Sequence, residues 1–220
     1  MGTRPYLAPP DDGLDLVHAD AALLVVNKPS GLLSVPGRGA GKDDCLISRV
    51  QKDYPDALVV HRLDMETSGL LVLARSPAMH RLLSILFQER RVEKRYVAVV
   101  DGIVQPESGQ IDLPLIADWP NRPLQKVDHE IGKPSLTRYR VLARDAAGHR
   151  TRLALEPETG RSHQLRVHLL SLGHPILGDS LYADDAAFKK AERLLLHAEY
   201  LAFAHPESGE AMCFSCPAPF

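Results

Sequence analysis

The chain has 220 residues, a net charge of −2, and 45% hydrophobic and 25% charged residues. That is enough apolar content to bury a core, in one domain or two closely joined halves, and too little positive charge to bind nucleic acid by bulk electrostatics. Three cysteines, an N-terminus without an apolar leader, and no apolar run near the ~18 residues of a membrane span make the cytoplasm the expected location.

Residues 1–13 are rich in Pro, Asp and Gly and are expected to form a loose extension, with one domain over 14–220. Residues 22–27 read as a strand ending at Lys28-Pro29. Residues 43–54 fit a helix capped by Asp43 or Asp44, with Leu46, Ile47 and Val50 as its apolar stripe. Leu58-Val59-Val60 and the run 70–74 are short and aliphatic and read as buried strands. Ser76 and Pro77 open a helix with a capping hydroxyl and a proline at the first position. Its stripe is Met79, Leu82, Leu83, Leu86 and Phe87, and it ends in Arg90-Arg91, which suits the negative end of the helix dipole. Residues 96–100 form the next expected strand, followed by a loop-rich stretch over 101–134. Residues 137–143 and 151–155 alternate and read as a hairpin around 145–148. Ser162 is expected to cap a helix that stops at Gly173, and 197–204 and 211–215 are the last strands. Strands outnumber helices and often follow one another directly, so the expected class is α+β with a mostly antiparallel sheet.

Between the two aliphatic runs sits His61-Arg62-Leu63-Asp64-Met65-Glu66-Thr67-Ser68-Gly69. It is too polar for a core and sets an arginine, a carboxylate, a hydroxyl pair and a glycine at the rim of a sheet, where a scaffold holds reactive groups rigidly. Lys28-Pro29-Ser30-Gly31, Lys94-Arg95-Tyr96, the segment 160–168 (Gly-Arg-Ser-His-Gln-Leu-Arg-Val-His), the segment 173–179 (Gly-His-Pro-Ile-Leu-Gly-Asp) and Leu194-Leu195-Leu196-His197-Ala198 recur around it. In order and spacing these motifs resemble the RluA-type pseudouridine synthases, over nearly the whole of 21–220.

The resemblance implies a bent mixed sheet in two halves, flanking helices and a central RNA-binding cleft. It implies Asp64 as the catalytic residue and Tyr96 as an active-site tyrosine that stacks on uracil. Arg166 is implied as the ion-pair partner of Asp64, with Arg161 as second choice. Arg62 is implied in base flipping and Leu196 in packing under the base. No cofactor and no metal are implied. The expected partner is RNA, with neither DNA nor a membrane, and a monomer is expected. The S4-type RNA-binding domain that some relatives carry has no room here.

The loop 118–126 holds the only tryptophan, Trp119, with Arg122 and Lys126, a mixture suited to unstacked bases and phosphates. It most resembles family members that modify both a large-subunit rRNA hairpin and a tRNA anticodon stem-loop. A sibling synthase acting only on other large-subunit rRNA uridines is the alternative. The net charge still permits RNA binding if Arg90-Arg91, Lys94-Arg95, Arg122 with Lys126, and Arg161 with Arg166 cluster on one face. Other chemistries fit less well. A glycosidase pairing Asp64 with Glu66 lacks an aromatic sugar platform. His163, His168 and His174 are spaced wrongly for zinc on one helical face. The Cys213/Cys216 pair has no second half-site, and a non-catalytic RNA-binding module would not need Asp64 or Tyr96.

Overall fold

The computed structural model describes residues 6–220; the first five residues of the expected extension lie outside the described residues. In chain order the elements are β1 (Leu16–Ala19), β2 (Leu23–Lys28), α1 (Leu46–Asp53), β3 (Leu58–Val59), β4 (Ser68–Ala74), α2 (Pro77–Gln88) and β5 (Glu93–Asp101). Then come β6 (Ser108–Asp112), β7 (Leu115–Ala117), a 3-10 turn (Trp119–Asn121), β8 (Gln125–Val127), β9 (Leu136–Asp145) and β10 (Arg150–Pro157). The chain ends with α3 (Gln164–Ser171), α4 (Asp185–Phe188), β11 (Leu196–Ala204) and β12 (Ala211–Ser215). The class is α+β, and all the strand pairs given below are antiparallel. Two compact units are present: one runs to Glu93 and resumes over Ala198–Pro217, the other is Lys94–His197 with Ala218–Phe220.

In the first unit β2 pairs with β1 and β4, β3 pairs with β4, and β12 pairs with β11. Every residue of β4 is buried, as its unbroken aliphatic sequence requires. Its Leu70, Val72 and Ala74 pack with Leu23 and Val25 of β2, Met79, Leu83 and Leu86 of α2, and Leu201 and Phe203 of β11. Gly69 enters this strand at φ +117°, and a Cβ there would sit 2.5 Å from the Ala198 nitrogen and closer still to its carbonyl oxygen. Only glycine allows that approach.

In the second unit β10 pairs with β5 and β9, and β9 pairs with β6. Ala98, Val100, Leu153, Leu155, Leu165 and Leu169 are at its core. A separate hairpin pairs β7 with β8.

Several expectations need correction. The helix at 43–54 is shorter and is capped at Cys45, where the Ser48 side chain accepts from the Cys45 amide. Asp44 is drawn away by Arg49, whose guanidinium forks onto both carboxylate oxygens at 2.8 Å; a bidentate charged pair outcompetes a cap. Arg49 also donates to the Pro9 and Pro10 carbonyls, so the described part of the extension is tied down. The run at 58–60 yields a two-residue, half-buried strand. Helix α2 starts at Ser76 and Pro77 as expected but ends before the arginine pair, because Arg90 turns the chain at φ +60°. The stretch 101–134 contains three strands, β6 to β8, and α4 and β1 also went unread. These elements are three to five residues long, too short for a periodic pattern to identify them. Helix α3 is preceded by His163 at φ +54°, and Ser162 does not cap it. The Gln164 side chain instead takes the Arg161 amide at 3.0 Å.

Candidate active site

Asp64 lies half-buried in the loop between β3 and β4. The backbone on both sides of it is pinned by the segment that follows β2. Ser34 Oγ donates to the Leu63 carbonyl at 2.7 Å and accepts from the Leu63 amide at 3.2 Å. The Gly31 amide and the Lys28 ammonium both donate to the Met65 carbonyl at 2.9 Å, and Ser30 Oγ donates to the Glu66 carbonyl at 2.6 Å. Lys28 is 0% exposed, and its ammonium also reaches the Pro29 and Leu32 carbonyls at 2.9 and 2.6 Å. A buried cation is tolerated only when its protons are taken up in this way. The backbone that carries Asp64 is thus held by a segment that is distant in sequence.

His61 opens the loop. Its ring stacks on Phe87 with centroids 4.3 Å apart, and its Nε2 accepts from the Val72 amide at 3.1 Å, so the ring proton on this neutral imidazole sits on Nδ1. Arg62 beside it is exposed, while Thr67 and Ser68 are buried at the entry to β4.

The second unit carries the other candidate site residues, Tyr96, Arg122, Lys126, Arg161, Arg166 and Leu196. Tyr96 sits in β5 opposite Leu155 and packs half-buried against the core. Leu196 is 3% exposed within that core. Arg166, on α3, does not belong to any surface cluster of cations. Its Nε and Nη2 fork onto Asp179 at 2.8 and 2.6 Å, with the two side chains 2% and 1% exposed. Fixing two nitrogens of a planar guanidinium fixes the direction of the third. Asp179 Oδ1 also accepts from the Leu181 and Tyr182 amides. Arg161 is exposed just ahead of α3.

At the tip of the β7–β8 hairpin, the Arg122 guanidinium stacks over Trp119 at 4.0 Å, and the indole is 65% exposed. Lys126, opposite Ile116, is exposed with Asp128 at 3.7 Å. The planar indole at the tip suits unpaired bases, and the cations Arg122 and Lys126 suit phosphates.

Sequence reasoning gave no role to Lys28, Ser30, Ser34, His61, Asp179 or Tyr182. Lys28, Ser30, His61 and Asp179 fall in the motifs noted above, which was the available signal. Among the described residues no group of three or more His, Cys, Asp or Glu side chains is placed to hold a metal ion. His168 instead bonds Thr137 and the Leu113 carbonyl, and His174 the Asp101 carbonyl. Among the same residues no helix is long and apolar enough to cross a membrane.

The chain matches the RNA pseudouridylate synthase family over residues 22–171. Over all 220 residues it is 53% identical to the dual-specificity RNA pseudouridine synthase RluA of Salmonella typhi and to that of Escherichia coli K12, covering 100% of each. Among solved structures, human RNA Pseudouridylate Synthase Domain Containing 1 is similar with a TM-score of 0.80 and 30% identity, over 97% of this chain and 87% of that one.

Proposed function

The chain belongs to the RNA pseudouridylate synthase family and is an RNA-modifying isomerase; from that premise we propose that it converts uridine to pseudouridine in two RNAs, a large-subunit rRNA hairpin and a tRNA anticodon stem-loop. The observation that carries the dual assignment is the full-length identity of 53% to relatives named dual-specificity. The Trp119–Arg122 stack supports it, since a flat exposed platform accepts unpaired bases of differing sequence. In this reading the protein works in the cytoplasm as a monomer, with residues 14–220 as the catalytic domain.

The reaction breaks the bond from ribose C1′ to uracil N1, turns the base, and joins C1′ to C5; the C5 proton leaves and N1 gains one, so the product is an isomer. We assign Asp64 to the sugar, either attacking C1′ or taking the C2′ proton. Both roles need the carboxylate ionised and held in one rotamer, and the pinned loop serves the second need. Arg166 is assigned as its charge partner, with Asp179 orienting the guanidinium. Tyr96 stacks on uracil and helps to remove the C5 proton, and Leu196 supplies apolar surface under the base. Arg62 braces the gap left by the flipped nucleotide, whose unstacking costs about a few kcal/mol. Arg161, Arg122 and Lys126 meet phosphates.

The test is tritium release from RNA labelled at uridine C5, run on both stem-loops with wild type and Asp64→Ala. Release from both RNAs, abolished in the variant while RNA affinity stays within a few-fold, is the expected result. Release from the rRNA hairpin alone would replace the dual assignment by the sibling reading, and release that survives in Asp64→Ala would remove Asp64 from the chemistry.

A further inference from the structure

Tyr182 stands where three parts of the second unit meet. Its hydroxyl oxygen accepts from the Gln125 amide, at the start of β8, at 2.8 Å, and lies 2.6 Å from His163 Nδ1. With the oxygen accepting from Gln125, its proton is available to the imidazole. The face of its ring lies 5.1 Å from the Arg166 guanidinium carbon, and its amide is fixed by Asp179, the same carboxylate that forks onto Arg166. One side chain therefore joins the hairpin that bears Trp119 and Arg122 to the buried Arg166–Asp179 pair.

We propose that Tyr182 is a positioning residue with two separable parts: its hydroxyl seats the β7–β8 hairpin for RNA, and its ring holds the Arg166 guanidinium in its working orientation. The inference rests on the functional reading above, in which the hairpin meets RNA and Arg166 supports Asp64. The hydroxyl is a hydrogen-bonding handle and the ring a packing and cation–π surface, so substitutions can remove them one at a time.

Tyr182→Phe keeps the ring and deletes both hydroxyl bonds; Tyr182→Leu deletes both parts. Trp119 is the only tryptophan, so its time-resolved fluorescence anisotropy reports hairpin motion without RNA. In Tyr182→Phe the indole should move more freely, and Kd for the anticodon stem-loop should rise about fivefold, the worth of the one bond lost to the hairpin. The single-turnover rate at saturating enzyme should stay within about threefold. In Tyr182→Leu the Kd should match that of Tyr182→Phe, but the saturating rate should fall about tenfold or more, a split that general loosening of the fold would not produce. Unaltered Trp119 mobility in Tyr182→Phe overturns the hydroxyl part, and this variant retains the ring, so it remains decisive if Tyr182→Leu fails to fold. Equal saturating rates for the two variants overturn the ring part. A wild-type protein inactive on both RNAs sinks the functional reading and the rate half of the proposal together, whereas an active wild type with immobile Trp119 in Tyr182→Phe sinks the hairpin tether alone.

Discussion

The Lys28 ammonium, with no solvent exposure, donates to the carbonyl of Met65, the residue after Asp64. The same ammonium reaches the Pro29 and Leu32 carbonyls, so one buried charge ties the loop that carries Asp64 to the end of β2 and the segment after it. Lys28→Met fills the space but leaves those carbonyls without this donor. At roughly 1–3 kcal/mol for a buried polar group left unsatisfied, the variant should lose about 3 kcal/mol of unfolding free energy in urea. The saturating tritium-release rate should fall at least about tenfold with RNA affinity little changed.

Breaking the Arg166–Asp179 fork should be more severe for the fold. Asp179→Ala leaves a buried guanidinium without its carboxylate, a defect that typically costs about 3–5 kcal/mol. Thermal unfolding of the variant should show a large fall in Tm. An unchanged Tm would mean that the charge is compensated elsewhere.

Gly69→Ala tests a steric demand. The new Cβ would collide with the Ala198 backbone, and φ +117° is strained for any side chain. Since neither strand can retreat without breaking pairing in a fully buried β4, the loss should exceed about 2 kcal/mol. Soluble yield and Tm would show it.

A pH dependence follows from His168. Burial is the largest influence on it and holds its pKa below the ordinary 6.5, although the Leu113 carbonyl and Asp112 oppose this. The folded state therefore favours the neutral ring, which donates from Nε2 to the Leu113 carbonyl and accepts from Thr137 at Nδ1. In the unfolded chain the ring takes up a proton near pH 6.5, where the folded protein still refuses it. The stabilisation is thus complete above pH 6.5 and is lost as pH falls from 6.5 through the depressed folded value. Unfolding free energies of wild type and His168→Gln, measured from pH 7.5 to 5, should converge as pH falls. A constant gap would contradict the assignment.

Arg122→Ala and Lys126→Ala should weaken RNA binding without changing the saturating rate. If each cation meets one phosphate, each substitution should lower the slope of log affinity against log salt by about 0.7–0.9. An unchanged slope would place that side chain off the RNA.

Where local chemistry was decisive, the sequence was read well. Ser76 and Pro77 start α2 because a capping hydroxyl and a proline act within one turn, and the hairpin around 145–148 follows from alternation on both sides of a turn. Reading failed where two partners compete for the same atoms. Asp44 could cap α1 but is taken by Arg49. Arg166 looked like one of the surface cations but is withdrawn by Asp179. Strands β6, β7 and β8 are too short to announce themselves and exist because a neighbour accepts their backbone bonds.

By itself the sequence determined the α+β class, the family, and the candidate residues at Asp64, Tyr96 and Arg166, because these depend on residue types in a fixed order along the chain. Only the tertiary structure decided what holds them. Lys28 and Met65 are 37 positions apart, and Gln125 and Tyr182 are 57 apart. No local pattern encodes such pairs, since a hydrogen bond between distant segments is set by how the strands and helices pack around it.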